Sequence, residues 1–477
     1  MQKKFISNLA LMVFLNLLVK PVAIFGIDAA VQNNVGEDDY GIYFTLLNFS
    51  FLFNILLDIG INNFTTKNVA QYPEVASKHL GKVLTFRFAL FIFYAIVSFS
   101  IALVLGWSNY EIYLLSFLIL NQFLATLIAY TRSHFGGLLM FKTDAVISVL
   151  DRFLLIIFCG ILLYTPITNT TFKIEWFIWI QTLCYAITLI IATVILFSKF
   201  GVPELKYHKA FSYSIVRKSF PYALLIFLMM VYTRLDSVMV ERLHWNGKEE
   251  AGIYAKGFRL VNAFFMFAMI FSNLLFPMFS KMFKQKENVK PLLATSAKLL
   301  IGGSILLSIV SFFNSKFILD LIYTNNIDES NQPFQLLMFS FIGMCSTILY
   351  GTFLTARGNM LFLNIVSSVG IVVNIIINAI LIPEYGATGA AIATLTTQSV
   401  ISAIQFVYSV KVLKVQFSIK DIALFVGYIG GLVAIGYFFQ AKDTLSFMVL
   451  LLATFFLMFL FRIIDIKNLR KVFAQEV

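Results

Sequence analysis

The feature that most constrains this chain is a succession of long apolar segments separated by short charged connections. A helix needs about 20 mostly apolar residues to cross the hydrocarbon layer of a bilayer. On that criterion the sequence predicts fourteen spans: residues 8–31, 42–64, 83–106, 111–131, 145–164, 175–197, 219–240, 252–279, 292–313, 333–355, 361–381, 387–409, 420–439 and 444–464. The chain is 60% hydrophobic and 13% charged, whereas soluble domains are about 45–50% apolar and about 25% charged. The pattern therefore predicts an all-α integral membrane protein with about fourteen transmembrane helices.

The charge distribution predicts the orientation of these helices. The formal net charge is +12, and most Lys and Arg residues fall in the two tails and in alternate connections. The opposite connections carry few basic residues: Lys173, Arg242, Lys248, Lys316 and Lys442. Under the positive-inside rule, both termini are expected in the cytoplasm. Basic residues spread in this way form no single solvated face, so no nucleic-acid partner is expected.

Two short sequences recur in the same order along the chain. The octapeptide "GEDDYGIY" at 36–43 returns as "GKEEAGIY" at 247–254, and "MFKTDAVISV" at 140–149 is echoed by "MLFLNIVSSV" at 360–369. Each predicted half has six spans, an even number, so both halves enter the membrane from the same side. The sequence thus predicts parallel repeats related by an axis along the membrane normal, an arrangement typical of transporters.

The repeat also predicts the domain organisation. We expect a six-helix lobe over residues 1–200, a second over 215–410, and two additional helices with a tail over 411–477. All predicted connections are short, which argues against a catalytic domain, and the protein is not expected to be an enzyme. Its His and Cys residues are scattered without ligand spacing, so neither a metal site nor a cofactor is expected.

Several basic residues fall inside the predicted spans, where a charge costs at least about 2.5–3.5 kcal/mol on insertion scales. Lys20 precedes Pro21, which should kink the first helix. Arg234 lies in span 7, and Lys256 and Arg259 share one face of span 8 because they are three residues apart. These four cations are predicted to line a cavity for an anionic, diphosphate-bearing substrate. Snorkelling or local pairing is the alternative, above all for Lys256.

Two acidic residues also lie inside predicted spans. Asp58 belongs to span 2 and Asp236 to span 7. A buried carboxylate near cations can be tuned to exchange a proton or to bind Na⁺, so both are candidates for ion coupling. A structural ion pair with a neighbouring helix is the alternative reading of each.

The complete pattern resembles the Wzx-type O-antigen and capsule repeat-unit flippases. These are polysaccharide transporters of the multidrug/oligosaccharidyl-lipid/polysaccharide exporter superfamily. The segments that carry the resemblance extend over the chain: "GEDDYGIY", "LLDIGI" around Asp58, "YTRLDSVMV" at 232–240, "LFPMFSKMF" at 275–283 and "YGATGAAIAT" at 385–394. The arrangement of six, six and two spans is similar to that family as well.

The resemblance implies a MATE-like fold in the bacterial inner membrane and translocation of an undecaprenyl-diphosphate-linked oligosaccharide to the periplasmic leaflet. Alternating access through a cationic cavity, driven by a proton or Na⁺ gradient, is the implied mechanism. Carried onto this sequence, the cavity cations are Lys20, Arg234 and Arg259. The implied partners are the polyprenyl-diphosphate-linked glycan, membrane lipids and other polysaccharide-assembly proteins.

Three rival functions remain open at this stage. A multidrug or cation antiporter of the same superfamily would usually have twelve spans and an acidic cavity. A lipid II-type flippase would be expected to have more clustered arginines in span 1. A scaffold without transport would have the same fold, because fold does not determine function.

Overall fold

The structure is a computed structural model that describes residues 14–464, apart from 17, 63–64, 67–68, 70–72, 139, 166–171, 206–208 and 415–417. Every secondary-structure element in the described residues is a helix. The tails that contribute to the predicted orientation, including Lys3, Lys4, Arg470 and Lys471, lie outside the described residues, as does the beginning of the first span.

The chain divides into two compact units, with the boundary between Glu241 and Arg242. The first unit contains the helices up to and including most of the eighth: α1 Phe14–Val35, α2 Glu37–Leu52, α3 Ile55–Asp58, α4 Pro73–Val104, α5 Asn109–Gly137, α6 Phe141–Tyr164, α7 Ile174–Phe200 and α8 Lys209–Leu243. The predicted lobe boundaries at 200 and 215 stay a prediction, because this division by contacts assigns most of span 7 to the first unit.

The second unit is built from the remaining helices. They are α9 Gly247–Gln285, α10 Lys290–Phe313, α11 Ser315–Ile322, α12 Ile327–Arg357, α13 Met360–Leu413, α14 Ile419–Phe438 and α15 Thr444–Leu460. Helix α12 packs against α9, α10 and α13 and is the most buried of them. Small residues permit this packing, since a Cβ added at Gly343 would lie 2.9 Å from the backbone of Gln398.

Each of the fourteen predicted spans overlaps a helix, and within the described residues eleven helices are long and apolar enough to cross a membrane. Helix α13 contains two predicted spans. Its 54 residues would extend about 80 Å if straight, far more than the roughly 30 Å of a hydrocarbon layer. The helix is not straight: it is broken after Pro383 at Gly386, where φ is 50° and ψ is −125°.

Span 2 differs from its prediction as a continuous helix over 42–64. Helix α2 ends at Leu52, and α3 is a single turn that ends at Asp58. Ile59 and Gly60 follow with φ values of 42° and 79°, a left-handed conformation that costs a β-branched residue free energy. Asn54, Asp58 and Gly60 interrupt the apolar residues of this segment, but without a proline they do not by themselves predict the break.

The first helix shows the effect of proline. Directly after Pro21, residues Val22–Asp28 are wound as a π-helix, because proline has no N–H to donate to the preceding turn. A π-helical turn inside an α-helix is often associated with function. The kink predicted at this position therefore takes the form of a wider turn that begins beside Lys20.

Two helix starts are fixed by their own side chains. Ser108 and Glu111 form a reciprocal capping box at the start of α5, and Asp443 and Ser446 form another at the start of α15. Such caps satisfy N–H groups that have no partner within the helix. The hydrogen bonds from Ser446 hold the pKa of the Asp443 carboxyl below its ordinary value.

The repeated octapeptides have matching contacts in the two units. Their last residues are Tyr43 and Tyr254, both buried. In the first unit, the Gln181 amide of α7 donates a hydrogen bond to the Tyr43 hydroxyl at 2.9 Å. In the second, the Tyr254 hydroxyl lies 3.1 Å from the Thr394 hydroxyl of α13. Each tyrosine thus binds the sixth span of its own repeat, as expected of pseudo-symmetric parallel bundles.

Candidate functional site

Lys20 belongs to an ionisable cluster in the first unit. Asp151 and Arg152 of α6 are close enough to the Lys20 ammonium to interact with it electrostatically. The Arg152 guanidinium lies 3.4 Å from the Asp151 carboxylate and donates to the Tyr185 hydroxyl of α7 at 3.1 Å. Helices α1, α6 and α7 therefore each contribute a polar group to one partly buried cluster.

Arg234 lies on α8 and contacts α2 within the same unit. Its guanidinium donates a hydrogen bond to the Asn48 carboxamide oxygen at 3.0 Å and lies 5.2 Å from the centre of the Phe51 ring. Asn48 is buried, and its own amide donates to the Phe44 carbonyl at 3.0 Å, so the acceptor is held in place. Asp236, the second acidic candidate, is buried two residues further along α8.

Asp58 forms an ion pair with a residue that sequence reasoning missed. The Arg87 side chain is 1% exposed and lies 2.8 Å from the Asp58 carboxylate. It also donates to the Asn62 side chain at 2.6 Å and to the Leu57 and Thr126 carbonyls at 3.3 and 3.4 Å. The Leu57 carbonyl is freed by the break in span 2 and needs such a donor. Asp58 thus has the structural pairing that the sequence left open, and its coupling role stays a prediction.

In the second unit, Lys256 and Arg259 share a face of α9, as their spacing predicts. Lys256 is completely buried, and its ammonium donates to the Asn325 carbonyl at 2.5 Å and lies 5.5 Å from the centre of the Tyr323 ring. Arg259 interacts electrostatically with the same Tyr323. Lys256 therefore does not snorkel; its contact with the 323–326 connection is the local pairing that was the alternative.

The predicted cations thus fall into three groups: Lys20 with α6, Arg234 with α2, and Lys256 with Arg259 beside Tyr323. That all four line one cavity stays a prediction. Sequence reasoning missed the contributions of Arg87 and Tyr185. The adjacent charges of Asp151 and Arg152 in an apolar span indicate a local pair, and the structure has that pair at 3.4 Å.

The acidic residues of the repeated octapeptides have a structural role in the second unit. The Glu250 carboxylate accepts a hydrogen bond from the Ala387 backbone N–H at 2.7 Å. This N–H lies where α13 resumes after the break at Gly386, so a negative charge there is favourable. Glu249 accepts from Asn326 at 2.9 Å and so ties α9 to the start of α12.

No group of three or more His, Cys, Asp or Glu side chains in the described part of the chain is placed to hold a metal ion. The three cysteines are buried and unbridged. The Lys and Arg side chains described above have hydroxyl, amide, carbonyl and carboxylate partners. Such groups are suited to binding an anion through charge-assisted hydrogen bonds.

Two protein families match the chain. The polysaccharide biosynthesis protein family matches residues 6–283, and the MatE family matches residues 221–380. No curated protein matches the chain in sequence.

Solved structures show the same fold at low sequence identity. The structure of the lipid II flippase MurJ in an inward closed conformation is similar, with 17% identity and a TM-score of 0.71 over 96% of this chain and 99% of that one. An inward-facing multidrug resistance MATE transporter of the MOP superfamily shares 11% identity, with a TM-score of 0.59 over 82% and 95%. A MOP superfamily transporter from Pyrococcus furiosus gives 11% and 0.57 over 86% and 95%.

Proposed function

Because the chain belongs to the polysaccharide biosynthesis protein family, we propose that it moves a lipid-diphosphate-linked oligosaccharide across the membrane. The lipid is of the undecaprenyl type, and the direction is from the cytoplasmic to the periplasmic leaflet of the bacterial inner membrane. The protein would act by alternating access, with both termini in the cytoplasm, in the biosynthesis of a surface polysaccharide such as an O-antigen or capsule.

One observation carries the proposal: cations lie within the membrane helices of a multi-pass protein of this family. Arg234 and Arg259 are each only partly exposed on long helices. A cation at such a depth is costly and marks a substrate pathway unless it serves local structure alone. A guanidinium has five N–H donors in a planar fork that matches phosphate oxygens. Arg234 donates a hydrogen bond to Asn48, a neutral acceptor.

Each cationic group would contribute to binding the diphosphate, and the ionisable cluster around Lys20 would contribute within the first unit. Asp58 and Asp236 remain the proposed candidates for coupling to a proton or Na⁺ gradient. Lys256 is the weakest of the four proposed ligands, because its ammonium already donates to the Asn325 carbonyl.

Lipid II is the second candidate substrate, and the similarity to the lipid II flippase MurJ over nearly the whole chain favours it. It carries the same diphosphate and polyprenyl groups but a different glycan, so the cationic groups would serve either substrate. A cation antiporter is supported by the match of residues 221–380 to the MatE family and by the shared fold with MATE transporters.

The test is export of the surface polysaccharide by cells that carry Arg234→Ala or Arg259→Ala. Loss of a charge-assisted hydrogen bond costs about 1.5–3 kcal/mol, or roughly 10- to 100-fold in binding. We expect both variants to insert normally and to accumulate the lipid-linked oligosaccharide unexported. Arg357→Ala is the matched control, since Arg357 is exposed at the end of α12. Wild-type export by both variants would refute the assignment. If the wild-type protein supports export of lipid II but not of the polysaccharide, the second candidate is favoured.

A further inference from the structure

A cavity of about 380 Å³ lies in the second unit where α10 ends and α11 begins. Its wall is the run Phe312–Phe317, completed by Asn331 and Gln335 of α12 and by Gln440 and Ala441. The last two residues belong to the connection between α14 and α15. Ligand pockets in proteins are typically about 300–1,000 Å³, so the volume suits a small ligand or one part of a larger one.

Hydrogen bonds hold the walls of this cavity in place. The Asn314 amide donates to the Val310 carbonyl at 2.9 Å, and its oxygen accepts from the Ala441 backbone N–H at 2.7 Å. The Gln335 amide donates to the Phe312 carbonyl at 3.1 Å and to the Ser315 hydroxyl at 2.9 Å. Residues from α10, α11, α12 and the α14–α15 connection are thus joined, which favours a preformed site.

The lining combines aromatic rings with amide groups. Phe312, Phe313 and Phe317 are each half-buried and so retain part of their surface. The Asn331 carboxamide oxygen is buried and accepts no hydrogen bond from the described residues. Buried acceptors are nearly always satisfied, so this oxygen calls for a donor that the protein itself does not supply.

The charge of the lining argues against an anionic ligand. Lys316 is the cation among the lining residues, and its ammonium lies 2.5 Å from the Asp328 carboxylate. Apart from this exposed ion pair, the lining offers amides, a hydroxyl and aromatic faces. Aromatic rings pack against the apolar faces of sugar rings while amides exchange hydrogen bonds with their hydroxyls. This combination fits an uncharged carbohydrate better than a phosphate.

We propose that this cavity binds an uncharged sugar unit. The sugar would come either from the glycan of the transported lipid or from the headgroup of a membrane glycolipid. Only the first source depends on the proposed transport function; binding of the sugar does not.

The direct test measures binding of free N,N′-diacetylchitobiose and maltose by saturation-transfer NMR. The full chain is held in phospholipid nanodiscs, because glycoside detergents would themselves present a sugar to the site. We expect saturable binding of at least one disaccharide. Ala441→Trp fills the cavity but keeps the backbone N–H that binds Asn314, and it should weaken binding at least tenfold. Lys442→Trp, at the exposed neighbouring position, should leave binding within twofold of the wild type.

Asn331→Leu provides a second variant that separates binding from folding. Removing a buried acceptor without a partner should leave the thermal stability unchanged or raised, while binding of the disaccharide falls at least tenfold. Failure of the wild type to bind either disaccharide would overturn the proposal. Equal binding by the wild type and Ala441→Trp would overturn it as well.

Export assays with Ala441→Trp distinguish the two sources of the sugar. Reduced polysaccharide export together with lost disaccharide binding identifies the transported glycan as the occupant. Normal export together with lost binding identifies a glycolipid headgroup. If Arg234→Ala and Arg259→Ala both export normally, the proposed transport function fails, and the result of the disaccharide measurement is unaffected.

Discussion

The ion pair between Asp58 and Arg87 offers a test of how the broken second span is held. Arg87 is almost completely buried, whereas the Asp58 side chain is 26% exposed. The guanidinium also binds Asn62 and two backbone carbonyls and lies 4.7 Å from the centre of the Tyr130 ring. A double-mutant cycle of Asp58→Asn, Arg87→Met and the combined variant measures the free energy that couples the two charges.

The magnitude follows from what each change leaves behind. Removing one partner of a buried pair costs about 3–5 kcal/mol, because the other charge stays buried. Asp58→Asn leaves the guanidinium with neutral acceptors and the Tyr130 ring, so we expect the lower end, about 3 kcal/mol. The combined variant contains no charge, and replacing a buried pair by apolar groups is often nearly neutral. We therefore expect a coupling of at least about 3 kcal/mol, with the combined variant at least as stable as Asp58→Asn alone.

Unfolding by SDS in mixed micelles provides the free energies. The pair between Lys298 and Asp421 is the matched control, with an N–O distance of 3.1 Å and side chains 46% and 53% exposed. Asp421→Asn should cost no more than about 1 kcal/mol, as is typical of solvated pairs. A coupling near zero for Asp58 and Arg87, or a combined variant weaker than either single one, would contradict the reasoning.

The same variants decide between the two roles of Asp58. If Asp58 serves structure alone, the combined variant recovers transport along with stability. If Asp58 also carries the coupling ion, stability returns but gradient-driven transport does not. Export of the polysaccharide, measured at equal amounts of inserted protein, separates these outcomes.

Further predictions concern the close contacts of the second unit, and the same unfolding measurement checks each. Glu250→Ala removes the carboxylate that accepts a hydrogen bond from the Ala387 N–H and should lower the free energy of unfolding by about 1–2 kcal/mol. Glu250→Gln should recover part of that loss. Equal stability of the wild type and Glu250→Ala would show that the cap contributes nothing. Gly386→Ala should cost more than the roughly 1–3 kcal/mol of backbone strain alone, because its Cβ would also clash with the Glu250 carboxylate. Gly343→Val should cost about 1–3 kcal/mol by overpacking against Gln398, and an unchanged stability would mean that α12 and α13 can separate freely there.

The positions of the helices could be predicted from the sequence because the bilayer imposes a length on each apolar segment. The break at Gly386 was predicted too, as the gap between spans 11 and 12, since Pro383 and Gly386 interrupt the apolar run. The break in span 2 was not, because it depends on donors from other helices.

The candidate site was predicted in its residue types but not in its contacts. Lys20, Arg234 and Arg259 stand out because a cation in an apolar run needs a reason. Arg87 escaped notice because it lies only four residues inside the predicted start of its span, where a long basic side chain can reach the membrane surface. Its burial follows from the turn at Ile59 and Gly60, which brings a freed carbonyl to it.

The most direct test of the central claim is translocation by the purified full chain in phospholipid vesicles. The vesicles contain a polyprenyl-diphosphate oligosaccharide with a fluorescent label on its glycan, and dithionite added outside quenches only the labels exposed there. With the wild-type protein and an ion gradient, quenching should extend to labels that began in the inner leaflet, and Arg234→Ala with Arg259→Ala should abolish this second phase. Quenching by the wild type that never exceeds that of protein-free vesicles, under either a proton or a Na⁺ gradient, would contradict the account.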